Sequence, residues 1–140
     1  MLDYKIFTDG AYSSSRNKGG IGVVVLRDEE YVFKYSKGFK DTTNNRMEMM
    51  AVMVALQAIK NPIHSLTIYS DSMYVIGCAT LGWKRKKNVE LWIKFDECFK
   101  KAQALVETPI VFEHVKGHAD NVYNNLCDEI AVRASQEELL

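Results

Sequence analysis

The sequence predicts an α/β domain in which a mixed β-sheet carries helices packed on it. Two observations carry that prediction: the first forty residues show the two-residue alternation of strands, and from Asn45 onward helical spacing takes over and then alternates with strand. A third sets the scale. With 47% hydrophobic residues in 140, the chain can bury one core and is too short for two ordinary domains, so residues 1–140 are read as one domain.

Leu2, Tyr4 and Ile6 alternate with Asp3, Lys5 and Phe7, which makes residues 2–8 a strand. Ile21 to Leu26 is rich in β-branched residues, and beyond the polar turn Arg27-Asp28-Glu29-Glu30 the aromatic residues Tyr31, Phe33 and Tyr35 alternate with Val32, Lys34 and Ser36. The first third is therefore an antiparallel meander. Met47, Met50, Ala51, Val54, Ala55 and Ala58 trace a helical face that stops before Asn61-Pro62, where proline cannot continue it. Leu66 to Ser70 is a short strand and a helix follows from about Ser72. After Lys84-Arg85-Lys86-Lys87, Val89, Trp92, Ile93, Phe95, Phe99 and Leu105 give a second amphipathic helix its apolar contacts. The last strand, Ile110 to Val115, and the last helix, roughly Asn125 to Glu137, are separated by the loop Lys116-Gly117-His118-Ala119-Asp120.

The 18 basic and 18 acidic side chains cancel, so no global positive field argues for a polyanionic partner, and any such surface must be local. Cys78, Cys98 and Cys127 are odd in number and lack the paired spacing of a zinc site or a disulfide framework, which fits free thiols in a reducing compartment. The chain opens into Met1-Leu2-Asp3-Tyr4-Lys5-Ile6 without a basic-then-apolar leader, and no apolar run is long enough to span a bilayer. A soluble, cytoplasmic protein with no membrane contact is expected.

Four acids stand where elements begin or end: Asp9, Glu48, Asp71 and Asp128. Each has an ordinary local explanation. Asp9-Gly10 has the composition of a hairpin turn, Asn45 to Glu48 that of a capping box, Asp71 sits where a helix N-cap belongs, and Asp128 sits where a carboxylate favours a helix dipole. Those explanations do not account for the set. Strand ends and helix starts are brought to one edge of a mixed sheet, and carboxylates gathered there are how a protein holds magnesium, a hard cation that keeps part of its water and binds phosphate oxygens.

Phe7-Thr8-Asp9-Gly10, Thr42-Thr43-Asn44-Asn45-Arg46-Met47-Glu48, Ser70-Asp71-Ser72, Val115-Lys116-Gly117-His118 and Cys127-Asp128-Glu129 together resemble type 1 ribonuclease H, in order and spacing over nearly the entire chain. The resemblance implies a five-stranded mixed sheet, three antiparallel strands then two parallel, flanked by helices. It implies that Asp9, Glu48, Asp71 and Asp128 hold two divalent ions, normally Mg2+ with Mn2+ as a substitute, around a scissile phosphate in the RNA strand of an RNA–DNA hybrid. In that scheme one ion activates a water and the other stabilises the leaving 3′-oxygen, leaving 5′-phosphate and 3′-hydroxyl ends. His118 would shuttle protons or assist product release. Thr43 would grip a DNA phosphate, Asn44 and Asn45 would reach the minor groove, and Asn124 would help recognise the substrate near the metals. A monomer with no obligatory protein partner is expected.

The chain departs from the family in Asp41, where relatives often carry a basic residue, and in Met73, where glutamine is common. It also lacks the extra basic helix of some bacterial relatives, leaving Trp83, Lys84, Arg85, Lys86 and Lys87 as the candidate hybrid contacts. Two other readings stand beside catalysis: a non-catalytic hybrid-binding module of the same fold, and the nuclease part of a transposase or reverse transcriptase.

Overall fold

In the computed structural model, which describes residues 2–115 and 121–137, the three N-terminal strands form the expected meander, but each runs further than its alternation suggests. Strand β1 covers Asp3–Ser13, β2 Lys18–Arg27 and β3 Glu30–Lys40. The β2–β3 turn is the two-residue pair Asp28-Glu29, both at positive φ (50° and 70°), the left-handed backbone that matches the twist of a tight hairpin. Asp3 holds that turn, since its N–H donates to Asp28 Oδ1 and its carbonyl accepts from the Asp28 N–H.

The remaining elements are α1 (Asn44–Gln57), β4 (Ser65–Ser70), α2 (Met73–Thr80), α3 (Val89–Gln103), β5 (Val111–His114) and α4 (Val122–Gln136). Strand order in the sheet is β3-β2-β1-β4-β5, antiparallel on the meander side, with β1–β4 and β4–β5 parallel. This is the five-stranded mixed sheet that the sequence predicts. No helix among the described residues is long and apolar enough to cross a membrane.

Strand period divides the core. Ile6, Val23, Val25 and Ile68 face the layer built from α1, α2 and α3, whereas Phe7, Val24 and Leu26 face Cys127 and Ile130 of α4. Within α3 the buried stripe is Leu91, Trp92, Phe95 and Ala102; Val89 and Ile93, expected to give apolar contacts, are 54% and 57% exposed. Ile93 follows Trp92 by one position and so points away from the buried stripe, and Val89 is the first residue of the helix. Tyr31, Phe33 and Tyr35 are likewise exposed, since β3 is the edge strand.

Candidate active site

Parallel pairing alone sets two of the acids side by side. The β1–β4 register ends at Phe7 opposite Tyr69, whose rings stack 4.4 Å apart, and the Thr8 hydroxyl donates to the Tyr69 carbonyl at 2.8 Å. Two residues further along in both strands come Asp9 and Asp71. They lie just beyond the carboxyl end of the parallel β1–β4 pairing, the usual place for a ligand in such a sheet.

None of the four acids serves the local role its neighbours suggest. Asp9-Gly10 lies within β1 and makes no turn; the β1–β2 turn is residues 14–17. Thr43, not Asn45, caps α1 by accepting from the Arg46 N–H, so Glu48 belongs to no capping box. Ser72 caps α2 through the Val75 N–H, which leaves the Asp71 carboxylate free. Asn121 caps α4, accepting from the N–H groups of Tyr123 and Asn124, and Asp128 falls in the second turn instead of the first.

What unites three of them is distance. One carboxylate oxygen each from Asp9, Glu48 and Asp71 lies within 4.8 Å of the other two. Asp9 and Glu48 are each only 6% exposed, whereas Asp71 and Asp128 are exposed at the rim. Burial, first, and then the charges of Asp71 and Asp128 push the Asp9 carboxyl up to about 8; burial and then Asp71 and Asp9 push Glu48 up to about 11. Glu48 Oε1 is buried without a hydrogen-bond partner among the described residues. Burying the Asp9 and Glu48 carboxylates with no counter-charge among the described residues is costly, and a bound cation would offset that cost. Three clustered carboxylates, an all-oxygen donor set, suit magnesium or manganese.

The helices reach the site because glycines let them come close. A Cβ on Gly10 would stand 2.6 Å from the Glu48 nitrogen and 2.8 Å from its Oε1; one on Gly22 would stand 2.4 Å from the Cys127 carbonyl. Asp-Gly therefore signals close approach of α1 to β1, a meaning its turn-like composition hides. Cys127 is fully buried beneath the acids, and burial followed by their charges raises its thiol well above the ordinary value. A histidine without a motif also borders the site: His114 Nε2 lies 3.3 Å from the Asp71 carbonyl, because β5 pairs Ser70 with His114.

The candidate substrate residues are more scattered. Thr43, Asn44 and Asn45 are exposed at the start of α1, and Asn124 is buried one helical turn before Asp128. Trp83 lies flat on Gly77, where any Cβ would collide with its ring, and is 47% exposed. Lys84, Lys86 and Lys87 are exposed. Arg85 is engaged inside the fold: Nη1 pairs with Asp96 at 2.6 Å, Nε donates to the Cys78 carbonyl at 3.2 Å, and the guanidinium stacks 4.5 Å from the Trp92 ring. Asp41, at φ 52°, exchanges hydrogen bonds with Asn17 and so belongs to the turn structure. His118 and its Lys116-Gly117 neighbours lie outside the described residues.

The RNase H family model matches residues 2–136. A ribonuclease H of Clostridium botulinum is 40% identical over 148 residues, covering 94% of this chain and 95% of that protein. One from Trichodesmium erythraeum is 38% identical, covering 94% and 88%, and a ribonuclease HI of Haemophilus influenzae is 38% identical, covering 97% and 92%. Among solved structures, LC11-RNase H1 in complex with an RNA/DNA hybrid superposes with a TM-score of 0.80 at 22% identity, over 95% of this chain and 96% of that one. The N-terminal RNase H domain of a Mycobacterium tuberculosis protein does so with a TM-score of 0.80 at 20% identity, over 96% and 94%. Aligned almost end to end with relatives of similar length, the chain belongs to the RNase H family and is an enzyme of that class.

Proposed function

We propose that the chain hydrolyses the RNA strand of RNA–DNA hybrids, with Asp9, Glu48, Asp71 and Asp128 holding two divalent cations, Mg2+ or in its place Mn2+. The observation that carries this reading is the buried Glu48 Oε1, without a hydrogen-bond partner among the described residues, within a cluster of three carboxylates that needs positive charge to be stable ionised. Bound there, the ions would activate the attacking water and stabilise the departing 3′-oxygen, so that products carry 5′-phosphate and 3′-hydroxyl ends.

The chain's own groups orient this chemistry. The Gly10 N–H donates to Asp9 Oδ1 at 2.9 Å and fixes the carboxylate's direction. Ser70 Oγ accepts from the Ser72 N–H and stiffens the turn that bears Asp71. The Thr43 oxygen accepts from Arg46, which leaves its O–H free to donate to a phosphate. Asn44 and Asn45 offer amides to the hybrid's minor groove, Asn124 supports recognition beside Asp128, and His118 carries protons to and from the site. A fold that superposes on an RNase H solved with a hybrid supports that choice of substrate.

Labelled hybrid, duplex RNA and duplex DNA incubated with the protein in magnesium test the reading. Cleavage confined to the hybrid's RNA strand is expected. Cleavage of duplex DNA alone would sink it, and tight hybrid binding without cleavage in magnesium or manganese would turn the assignment into a binding module.

The cationic loop divides by role. Replacing Lys84, Lys86 and Lys87 together with alanine should weaken hybrid binding and reduce the dependence of log K on log salt by about 2 to 3, with the fold unchanged. Arg85→Ala should instead lower stability by about 1–2 kcal/mol, seen in thermal melts, because it removes a partly buried ion pair and a stacked guanidinium.

A further inference from the structure

Helix α4 crosses β2 in close backbone contact, beside Asp9. Gly22 is the register partner of Asp9. A Cβ on Gly20 would stand 2.3 Å from the Ala131 carbonyl, and one on Gly22 would stand 2.4 Å from the Cys127 carbonyl, so both strand residues need to be glycine for the helix to lie at this depth. Into this seam the Cys127 Sγ sits 3.0 Å from the Gly22 carbonyl oxygen and 3.3 Å from that of Phe7, two residues before Asp9, so its single S–H is shared between the two strands. The next residue along the helix is Asp128.

We infer that Cys127, seated on Gly20 and Gly22, is a positioning residue that sets the height of Asp128 above Asp9 and thereby the strength of cation binding. Apolar packing by Ile130, Ala131 and Ala134 can hold the helix against the sheet, but it does not specify rotation or sliding, since dispersion contacts are non-directional. One S–H held between carbonyls of both strands, 3.0 and 3.3 Å from Sγ, adds a directional constraint. Asp128 is where that control matters. It stands outside the group of three mutually close acids, so its share in binding a cation depends on where α4 lies.

The inference rests on the reading of Asp128 as a cation ligand, and the experiment separates the two. Mn2+ binding is measured by calorimetry and by the Mn2+-dependent rise in melting temperature, without nucleic acid, for the parent chain and for Asp128→Asn, Cys127→Ala, Cys127→Ser, Gly22→Ala and Cys78→Ala. Cys78→Ala is the control for removing a buried thiol elsewhere in the core. Asp128→Asn should weaken Mn2+ binding, Cys127→Ala should weaken it by about threefold to tenfold, and Cys127→Ser, which keeps a donor, should stay within about twofold of the parent. Gly22→Ala, which forces the helix outward by roughly 1 Å to restore ordinary contact, should resemble Asp128→Asn. If Asp128→Asn weakens binding while Cys127→Ala only lowers the melting temperature, as Cys78→Ala does, the positioning role is overturned. The same holds if serine fails to restore what alanine loses. If Asp128→Asn binds Mn2+ like the parent, the ligand assignment falls and the inference with it.

Discussion

Asp9→Asn should abolish hybrid cleavage while making the metal-free protein more stable above neutral pH. The loss of activity, on the order of a thousandfold or more, follows from replacing a carboxylate at the cluster's centre with an amide of the same shape and poorer affinity for magnesium. The gain in stability follows from linkage. Asp9 is raised to about 8 and Glu48 to about 11, so the folded chain keeps protons that the unfolded chain releases at the ordinary carboxylate value of about 4. Over that interval the unfolded state binds fewer protons than the native state, and stability must fall as pH rises from about 4 towards 8. Asparagine removes the Asp9 share of this decline. Melting temperatures in chelator should show the parent losing stability from pH 5 to pH 8, and Asp9→Asn standing higher by about 5 °C at pH 8. Magnesium should offset the parent's decline, most strongly at the alkaline end where the ligands give up their protons readily. A parent chain with a flat pH profile in chelator would contradict the account of Asp9 and Glu48 as buried carboxyls that hold protons in the folded chain.

The same cluster shows why the sequence is readable in one respect and misleading in another. All four acids are visible as isolated positions, and the mixed sheet follows from strands that alternate and helices that intervene. Local chemistry, however, assigns them to turns and caps, because those roles depend on immediate neighbours. Ser72 and Asn121 take the capping roles one position after Asp71 and seven before Asp128, and only the helix starts reveal it. Helix α4 begins earlier than its apolar spacing suggests because Val122-Tyr123-Asn124-Asn125 has little helical preference of its own and is held by the Asn121 cap and the sheet. The strand ends were hidden similarly. Gly19, Gly20 and Gly22 have the composition of a turn, yet they lie in β2, where backbone or side chains of other elements occupy the space a Cβ would need. Arg85 is the converse case: four adjacent cations look equivalent, but only tertiary contacts show that one is taken up by Asp96 and Trp92.

Close approach also makes Gly10 the position where the smallest substitution should have a large effect. Alanine there would set its methyl 2.6 Å from the Glu48 nitrogen and 2.7 Å from the Met47 carbonyl carbon, both backbone atoms that no rotamer change can move. Helix α1 would have to retreat by roughly 1 Å to regain ordinary contact, and Glu48 would retreat with it. Overpacking of this kind costs about 1–3 kcal/mol, and a displacement of that size at a reacting centre costs about a hundredfold in rate. Gly19→Ala is the matched comparison, since the atoms a methyl would meet there are the Met47 Cγ and Sδ and the Thr42 Cγ2, all side-chain atoms. The Met47 thioether can rotate away at small cost. Gly10→Ala should therefore lose about a hundredfold in hybrid cleavage with weakened Mn2+ binding, whereas Gly19→Ala should lose less than about tenfold. Equal losses in the two variants would mean that general crowding of α1, and not the placement of Glu48 against Asp9, sets the activity. A Gly10→Ala enzyme that cleaved normally would mean that α1 can give way without moving its carboxylate, and Glu48 would then be too loosely held to act as a fixed ligand.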